Sequence, residues 1–285
     1  MHSLRNRRIL VIGGSSGIGL AIASATAGAG ASVTIASRNQ EKLTEAATKL
    51  SGTVHTAVLD TGDNGLLERF FEKQMTWDHV VVSAAQTRVG SVRSLSLTDA
   101  NVAMESKFWG AYRVARVARI NDGGSLTLLS GFLSERPSAT AVLQGSINAA
   151  LEALARGLAL ELAPVRVNAV SPGMIETPIW DDLPPEQRRG MFETTAAQLP
   201  VRKIGQPEDV ADAVLFLMTT GNWVHCWSRR RRGHRVSLRD THDDRAPNEL
   251  RAYGENSVSG SGSADVAHIF YAGTRGAARR PMTFL

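Results

Sequence analysis

The chain has 285 residues, of which 43% are apolar and 21% are charged, a composition typical of a globular protein. This length allows one large α/β domain or two small ones. The single cysteine, Cys226, excludes an internal disulfide and fits a reducing compartment, so we expect a cytoplasmic protein. No apolar run is long enough to span a bilayer, and glycines interrupt the apolar stretch near the N-terminus. We therefore expect neither a membrane segment nor a secretory signal.

The net charge of +5 is concentrated at one end of the chain. From Val224 onward there are 11 Arg, no Lys and 6 acidic residues, so the remainder is neutral. The run "RRRRGHR" could contact phosphates. Short basic runs of this kind are common by chance, however, and we expect no nucleic-acid partner.

Short apolar runs alternate with amphipathic stretches from Arg8 to about Leu217. Predicted strands, in chain order, are "RILVIGG", "SVTIAS", "VHTAVLD", "DHVVVSAA", "SLTLLS" and "VRVNAV". Predicted helices cover residues 18–28, 40–50, 97–118 and 141–163. This alternation predicts the α/β class, with a Rossmann-type, doubly wound parallel sheet flanked by helices.

The periodic pattern stops after Thr219, and "SVSGSGS" is a low-complexity segment. We therefore divide the chain into a Rossmann-type α/β domain over residues 1–222 and an irregular basic tail over residues 223–285. The composition of the tail predicts disorder.

A glycine-rich turn lies between the first predicted strand and helix, in "ILVIGGSSGIGLAIA". Gly13 would allow the tight turn, Gly17 would let a phosphate approach the backbone, and Gly19 would let the helix pack close to the strand. The N-terminus of the helix then offers free N–H groups and the positive end of its dipole. This arrangement predicts a site for the pyrophosphate of a dinucleotide.

The spacing G-x-x-x-G-x-G resembles that of the short-chain dehydrogenase/reductase family. "LDTGD" matches the family segment in which an Asp, here Asp60, contacts the adenine. "RVNAVSPGMIETP" matches the family's sixth strand and its Pro-Gly-x-x-x-Thr loop, here Pro172, Gly173 and Thr177. "GQPEDVADAVLFLM" matches the family's late helix. The resemblance extends over roughly residues 7–220, with the motifs in the family's order.

The resemblance implies a nicotinamide dinucleotide cofactor, a small-molecule substrate and no metal ion. It assigns the cofactor site to residues of the glycine turn and of the loops after the strands: Gly13, Ser15, Ser16, Gly17, Ile18, Gly19, Ser37, Arg38, Asp60, Thr61, Ala84, Ala85, Pro172, Gly173, Ile175 and Thr177.

The end of the second predicted strand bears on the choice of cofactor. An acidic residue there usually holds a ribose 2′-hydroxyl, whereas a 2′-phosphate requires a cation. This chain has Ser37 and Arg38, and the planar guanidinium of Arg suits a phosphate. We therefore expect NADP(H) to be preferred over NAD(H); the alternative is a solvated Arg at the start of a loop.

The sequence departs from the family at the catalytic positions. The family carries a Tyr acid, a Lys four residues later that lowers the pKa of the Tyr, a Ser that binds the carbonyl oxygen, and an Asn on the preceding helix. Here the Tyr position holds Gln144 and the Lys position holds Asn148. Ser130 or Gly131 lies at the Ser position, and "SAAQ" stands where the family has "NNAG".

Lys107 occupies the position at which the family has the Asn of the preceding helix. We hypothesise that it supplies the positive charge of the missing Lys and, when desolvated, acts as an acid. The alternative is a surface Lys on an amphipathic helix. The candidate catalytic residues are therefore Ser130, Lys107, Gln144 and Asn148.

The resemblance implies an NADP(H)-dependent oxidoreductase that interconverts a carbonyl and an alcohol. The alternatives are a non-catalytic NADP(H)-binding redox sensor and a damaged gene product. Residues 179–199 correspond to the variable loop that caps the family's substrate pocket. Trp180, Met191 and Phe192 in this segment suggest a partly apolar substrate.

The family's last strand, of the form T-G-x-x-x-x-V-D-G-G, is missing from its expected place. A one-base shift of the codons for "VHCWSRRRRGH" could restore a similar sequence, so we hypothesise that the chain is read out of frame from about Val224. Resequencing the gene, or isolating an Arg-rich tryptic peptide, would test this. The family implies a homo-oligomer, but the loss of this strand puts that expectation in doubt.

Overall fold

A six-stranded parallel sheet with the order β3-β2-β1-β4-β5-β6 lies at the centre of the molecule. The structure is a computed structural model that describes residues 3–219. The six strands are β1 Arg8–Ile12, β2 Ser32–Ser37, β3 Thr53–Val58, β4 Trp77–Val82, β5 Ile120–Leu129 and β6 Arg166–Val170. All neighbouring strands pair in parallel. The predicted doubly wound, Rossmann-type fold is therefore confirmed.

The helices cover both faces of this sheet. They are α1 Gly17–Gly28, α2 Gln40–Thr48, α3 Asn64–Lys73, α4 Leu97–Met104, α5 Gly110–Val117, α6 Val142–Glu161, α7 Pro185–Gln198 and α8 Pro207–Thr219. A π-helical turn, Glu105–Trp109, joins α4 to α5. Short 3-10 helices occur at Phe132–Ser134 and Pro178–Trp180.

Two hydrophobic clusters stabilise the domain, one on each side of the sheet. On one side α1 and α8 bury residues such as Ile22 and Val214. On the other, α3, α5 and α6 bury residues such as Phe71, Val114 and Leu151. All six residues of β4 are buried, as expected for a strand covered on both faces.

The sequence analysis missed α3 and treated residues 97–118 as one helix. Asp63 caps α3 by accepting a hydrogen bond from Leu66 N at 2.9 Å, and the helix buries Leu67 and Phe71. Only these two buried positions mark its inner face, so the periodic signal is short. The helix predicted over 97–118 is interrupted by the π-helical turn, which changes the phase of its buried face.

Several predictions concern residues outside those described. The form of the tail, the missing last strand and the reading-frame hypothesis all fall on residues 220–285, beyond the described range of 3–219. Within that range, no helix has both the length and the apolar character needed to cross a membrane.

Candidate active site

A cleft of about 1530 Å³ opens where the strands end at their carboxyl termini. Ligands of doubly wound sheets bind at this edge, where the strand order reverses on either side of β1. Of the twenty candidate site residues named from the sequence, nineteen line this one cleft. The exception is Gly19, which lies beneath it. The fold thus brings together residues that are up to 164 positions apart, from Gly13 to Thr177.

The glycine turn has the geometry that its sequence predicts. Gly13 has φ +87°, and a Cβ atom there would lie 2.5 Å from Ala84 N. A Cβ atom at Gly19 would lie 2.1 Å from Gly13 O, so only glycine lets α1 pack this closely against the turn. Ser16 precedes α1 and makes no side-chain capping bond, which leaves N–H groups of the first helical turn for a ligand. These features fit the pyrophosphate of a dinucleotide.

Arg38 lies in the cleft wall just after β2 and is exposed. Its Nη1 donates to Gln86 Oε1 at 3.2 Å, so the guanidinium is held by the loop that follows β4. Nearby, Asp60 Oδ1 accepts a hydrogen bond from Gly62 N at 2.8 Å, which fixes the carboxylate after β3. Arg38 and Asp60 therefore place a cation and a carboxylate at the end of the cleft that is formed by the loops after β2 and β3.

Lys107 lies at the floor of the cleft, in the middle of the π-helical turn. It is 9% exposed, so it is not the surface Lys that the sequence left as an alternative. Its Nζ donates to Asn148 Oδ1 at 2.6 Å and to Ser130 O at 2.9 Å. π-Helical turns are frequent at functional sites, and this one carries a charged group into a buried position.

Burial lowers the pKa of Lys107 to about 8, because an ammonium ion loses its hydration at this position. The negative charge of Glu152 opposes this effect and raises the pKa of the lysine. At neutral pH the side chain is therefore still largely protonated.

One face of α6 forms the opposite wall of the floor. Gln144 and Asn148 are one helical turn apart, and they are 9% and 2% exposed. The Oε1 atom of Gln144 is buried and has no hydrogen-bond partner in the protein. Such an acceptor is costly unless a ligand supplies a donor to it.

Ser130 and Gly131 follow β5 and differ in what they contact. The hydroxyl of Ser130 donates to Glu152 Oε1 at 2.7 Å, beneath the floor of the cleft. A Cβ atom built on Gly131 would lie 2.8 Å from Asn148 Nδ2. Gly131 is therefore the position that faces the amide of Asn148, whereas the hydroxyl of Ser130 is directed at a carboxylate.

Glu152 and Ser134 were missed by the sequence analysis. Both lie next to the candidate catalytic residues, and Ser134 Oγ donates to Glu152 Oε1 at 2.6 Å. A signal was available: Gln144, Asn148 and Glu152 recur at four-residue intervals in an otherwise mainly apolar helix, and so share one face.

The segment predicted to cap the substrate pocket lies at the mouth of the cleft. Ile179, Trp180 and Met191 line it. Trp180 Nε1 donates to Ile175 O at 2.9 Å, and its ring lies 6.5 Å from that of Phe192 in an edge-on arrangement. Phe192 therefore supports the wall through Trp180. Among residues 3–219, no cluster of three or more acidic, His or Cys side chains could hold a metal ion.

Comparison with known proteins agrees with this geometry. The profile of the enoyl-(acyl carrier protein) reductase family matches residues 13–223. A short-chain dehydrogenase/reductase, ATR9 of Stachybotrys chlorohalonatus, is 35% identical over 242 residues, which cover 78% of this chain and 94% of that protein.

Solved structures agree as well. A small-chain dehydrogenase in complex with NADPH is 33% identical with a TM-score of 0.63, over 76% of this chain and 93% of that one. The MalC reductase/Diels-Alderase of Malbranchea aurantiaca is 28% identical with a TM-score of 0.71, over 77% and 93%.

The sheet order, the glycine turn and the cleft define an α/β oxidoreductase that uses a nicotinamide dinucleotide. The chain belongs to the short-chain dehydrogenase/reductase family.

Proposed function

We propose that the protein transfers hydride between NADP(H) and a small-molecule carbonyl or alcohol, with Lys107 as the acid that protonates the carbonyl oxygen. The contact between Lys107 Nζ and Asn148 Oδ1, at 2.6 Å, carries this proposal. The family has an Asn at the first of these positions and a Lys at the second. This chain has the same two side chains exchanged, so the site keeps one ammonium and one amide.

The bound nicotinamide supplies the hydride for reduction, or accepts it in the reverse reaction. Lys107 has three N–H donors, and contacts within the described residues engage two of them. The third is available to a carbonyl oxygen. As that oxygen gains negative charge, Lys107 gives it the proton, and the neutral amine then recovers a proton from solvent.

Gln144 and Asn148 would position the ligands in this scheme. Gln144 cannot exchange a proton near neutral pH, but its unpartnered Oε1 would accept a hydrogen bond from a hydroxyl or N–H group of cofactor or substrate. The apolar side chains of Ile179, Trp180 and Met191 at the mouth favour a substrate with an apolar portion. Ser130 would act indirectly, by fixing the backbone carbonyl that holds Lys107.

Turnover measured with a Lys107→Gln variant tests the proposal. The substrate is first sought by following NADPH consumption with a panel of ketones and quinones. The substitution should lower kcat by about a hundredfold or more, the usual contribution of a general acid. In the unmodified protein, reduction should be fastest below about pH 8 and slow down above it, as Lys107 loses its proton. Lys73→Gln, at an exposed end of α3, is the matched control. Equal turnover in the two variants would refute the role of Lys107.

The preference for NADP(H) rests on Arg38 and on the absence of a carboxylate at Ser37. The relative solved with NADPH supports the same choice. Arg38→Ala should weaken NADPH binding by about tenfold to a hundredfold, the usual worth of a charge-assisted hydrogen bond, and should leave NADH binding nearly unchanged. Fluorescence titration measures both constants. Arg119→Ala, an exposed Arg at the start of β5, is the control, and equal losses for the two cofactors would contradict the assignment.

We assign the function to residues 1–222 and none to residues 223–285, in a cytoplasmic protein. The family match, which ends at residue 223, supports this division. A chain that stops at residue 222 should bind NADPH as the full chain does. Sedimentation analysis of both chains tests whether a homo-oligomer forms.

A further inference from the structure

A carboxylate is buried directly beneath the candidate active site. Glu152 is 4% exposed and lies on α6, one turn after Asn148 and two turns after Gln144. Burial of a carboxylate is costly unless other groups compensate for its lost hydration. Glu152 therefore calls for a physical explanation that packing alone does not provide.

Two hydroxyl groups hold this carboxylate in place. Ser130 Oγ and Ser134 Oγ both donate to Glu152 Oε1, at 2.7 and 2.6 Å. These two hydrogen bonds replace part of the hydration that the carboxylate loses on burial.

Ser130 contacts both buried charges. Its backbone oxygen accepts a hydrogen bond from Lys107 Nζ at 2.9 Å, and its hydroxyl donates to Glu152. Asn148 lies on the same side of α6 as Glu152 and also accepts from Lys107. The ammonium and the carboxylate thus share one hydrogen-bonding neighbour, Ser130.

The other charged side chains on the elements packed around the π-helical turn are engaged elsewhere or solvated. Glu105 forms an ion pair with Arg113 at 2.6 Å, and Asp99 accepts a hydrogen bond from Ser96. The exposed ones are Arg116, Arg156 and Glu161. Glu152 is the side chain whose charge acts on Lys107.

We propose that Glu152 is a positioning residue whose carboxylate is the counter-charge that keeps Lys107 an ammonium ion at the floor of the cleft. Without this charge, a larger fraction of the buried lysine would be the neutral amine, which is not acidic enough to protonate the carbonyl oxygen. The inference rests on the proposed function for its catalytic meaning. The electrostatic link between the two residues can be measured without any substrate.

The first test is NMR titration of protein labelled with 13C-lysine. The chain has only five lysines, at positions 42, 49, 73, 107 and 203, and the signal lost in Lys107→Met identifies Lys107. Glu152→Gln should lower the pKa of Lys107 by about one unit. Glu152→Asp retains the charge and should leave the pKa of Lys107 close to its value in the unmodified protein. Glu161→Gln, at an exposed position near the end of the same helix, should leave it unchanged. An unchanged pKa in Glu152→Gln, or an equal fall in both Gln variants, would overturn the proposal.

A second variant covers the case in which Glu152→Gln does not fold. Glu152→Ala removes the same charge without leaving an amide in the buried site, so it should also lower the pKa of Lys107, while Glu161→Ala should leave that pKa unchanged. An unchanged pKa of Lys107 in Glu152→Ala would overturn the proposal. The two claims also separate cleanly. A coupled pair combined with undiminished turnover in Lys107→Gln would refute Lys107 as the acid and leave its link to Glu152 in place.

Discussion

Under the proposed function, Lys107 and Asn148 together replace the Asn and the Lys that the resemblance places at these two positions of the family's active site. The ammonium and the amide lie within 2.6 Å of each other, so exchanging them moves the charge by only a side chain's length. No equivalent exchange accounts for the missing Tyr, because Gln144 cannot donate a proton at neutral pH. Under the proposed function, the acid is the ammonium itself rather than a phenol whose pKa it lowers.

The exchange can be tested by reversing it. Lys107→Asn alone should leave the floor without an ammonium, and Asn148→Lys alone should place two ammonium ions in contact. Each should lower turnover by about a hundredfold or more. The double variant again carries one ammonium ion and one amide at the floor of the cleft. It should recover part of the turnover, and any NADPH affinity that the single variants lose. A double-mutant cycle measures the coupling, and a double variant no better than the product of the two singles would count against the exchange.

At the scale of elements, the site depends on how the end of β5 meets α6. Gly131 has extended backbone, with φ 164°, so its conformation does not require glycine. What requires a small residue is the Asn148 amide, 2.8 Å from where a Cβ atom would lie. The two elements approach each other closely so that Asn148 can hold Lys107.

Gly131→Ser should therefore impair the site, although it introduces a residue type that the family uses nearby. The new side chain would push the Asn148 amide away from Lys107, at a cost of about 1–3 kcal/mol in the free energy of unfolding. NADPH titration and thermal melting would detect both effects. Gly157→Ser is the control, because nothing lies within 4 Å of a Cβ atom at that position of α6. Normal stability and turnover in Gly131→Ser would show that Asn148 can move freely.

Other elements show why parts of this arrangement could not be predicted from the sequence. The glycine turn and the apolar strands can be predicted from local sequence, because each needs particular residues at fixed spacing. The π-helical turn has no comparable signal, since its extra residue merely shifts the phase of a helical pattern. Glu152 could have been noticed from its four-residue spacing to Asn148, but its contacts with Ser130 and Ser134 are tertiary.

For the whole molecule, the sequence predicted the sheet, and nearly all of the candidate site residues named from it line one cleft, because strand order brings distant loops to one edge. The sequence left the burial of Lys107 open and gave no sign of the burial of His79, because Glu105 and Ser106 precede Lys107 and Asp78 precedes His79. Only the assembled core removes water from these two side chains. Burial lowers the pKa of Lys107 to about 8 and that of His79 to about 4.

His79 predicts how the stability of the domain responds to acid. Its imidazole is 4% exposed, it lies 2.8 Å from Ser125 Oγ, and the charge of Arg166 adds to the effect of burial. Because the unfolded chain binds a proton near pH 6.5 and the folded one near 4, stability is complete above pH 6.5. It falls by up to about 3 kcal/mol as the pH drops to 4.

Denaturant unfolding at pH 7 and pH 4.5 would measure this loss. His79→Gln should remove most of the difference between the two pH values, whatever it costs at pH 7. His55→Gln, at an exposed position of β3, should retain the full difference. If His79→Gln lost as much stability in acid as the unmodified protein does, another group would be responsible.

The depressed pKa of Lys107 also has a consequence for metabolic direction. With a pKa of about 8, Lys107 is mostly protonated at neutral pH and mostly neutral about one pH unit above 8. Under the proposed function, the same side chain would serve reduction as an acid near neutral pH and oxidation as a base at higher pH. The direction of the net reaction would then be set by the ratio of reduced to oxidised nicotinamide around the protein, and not by the protein itself.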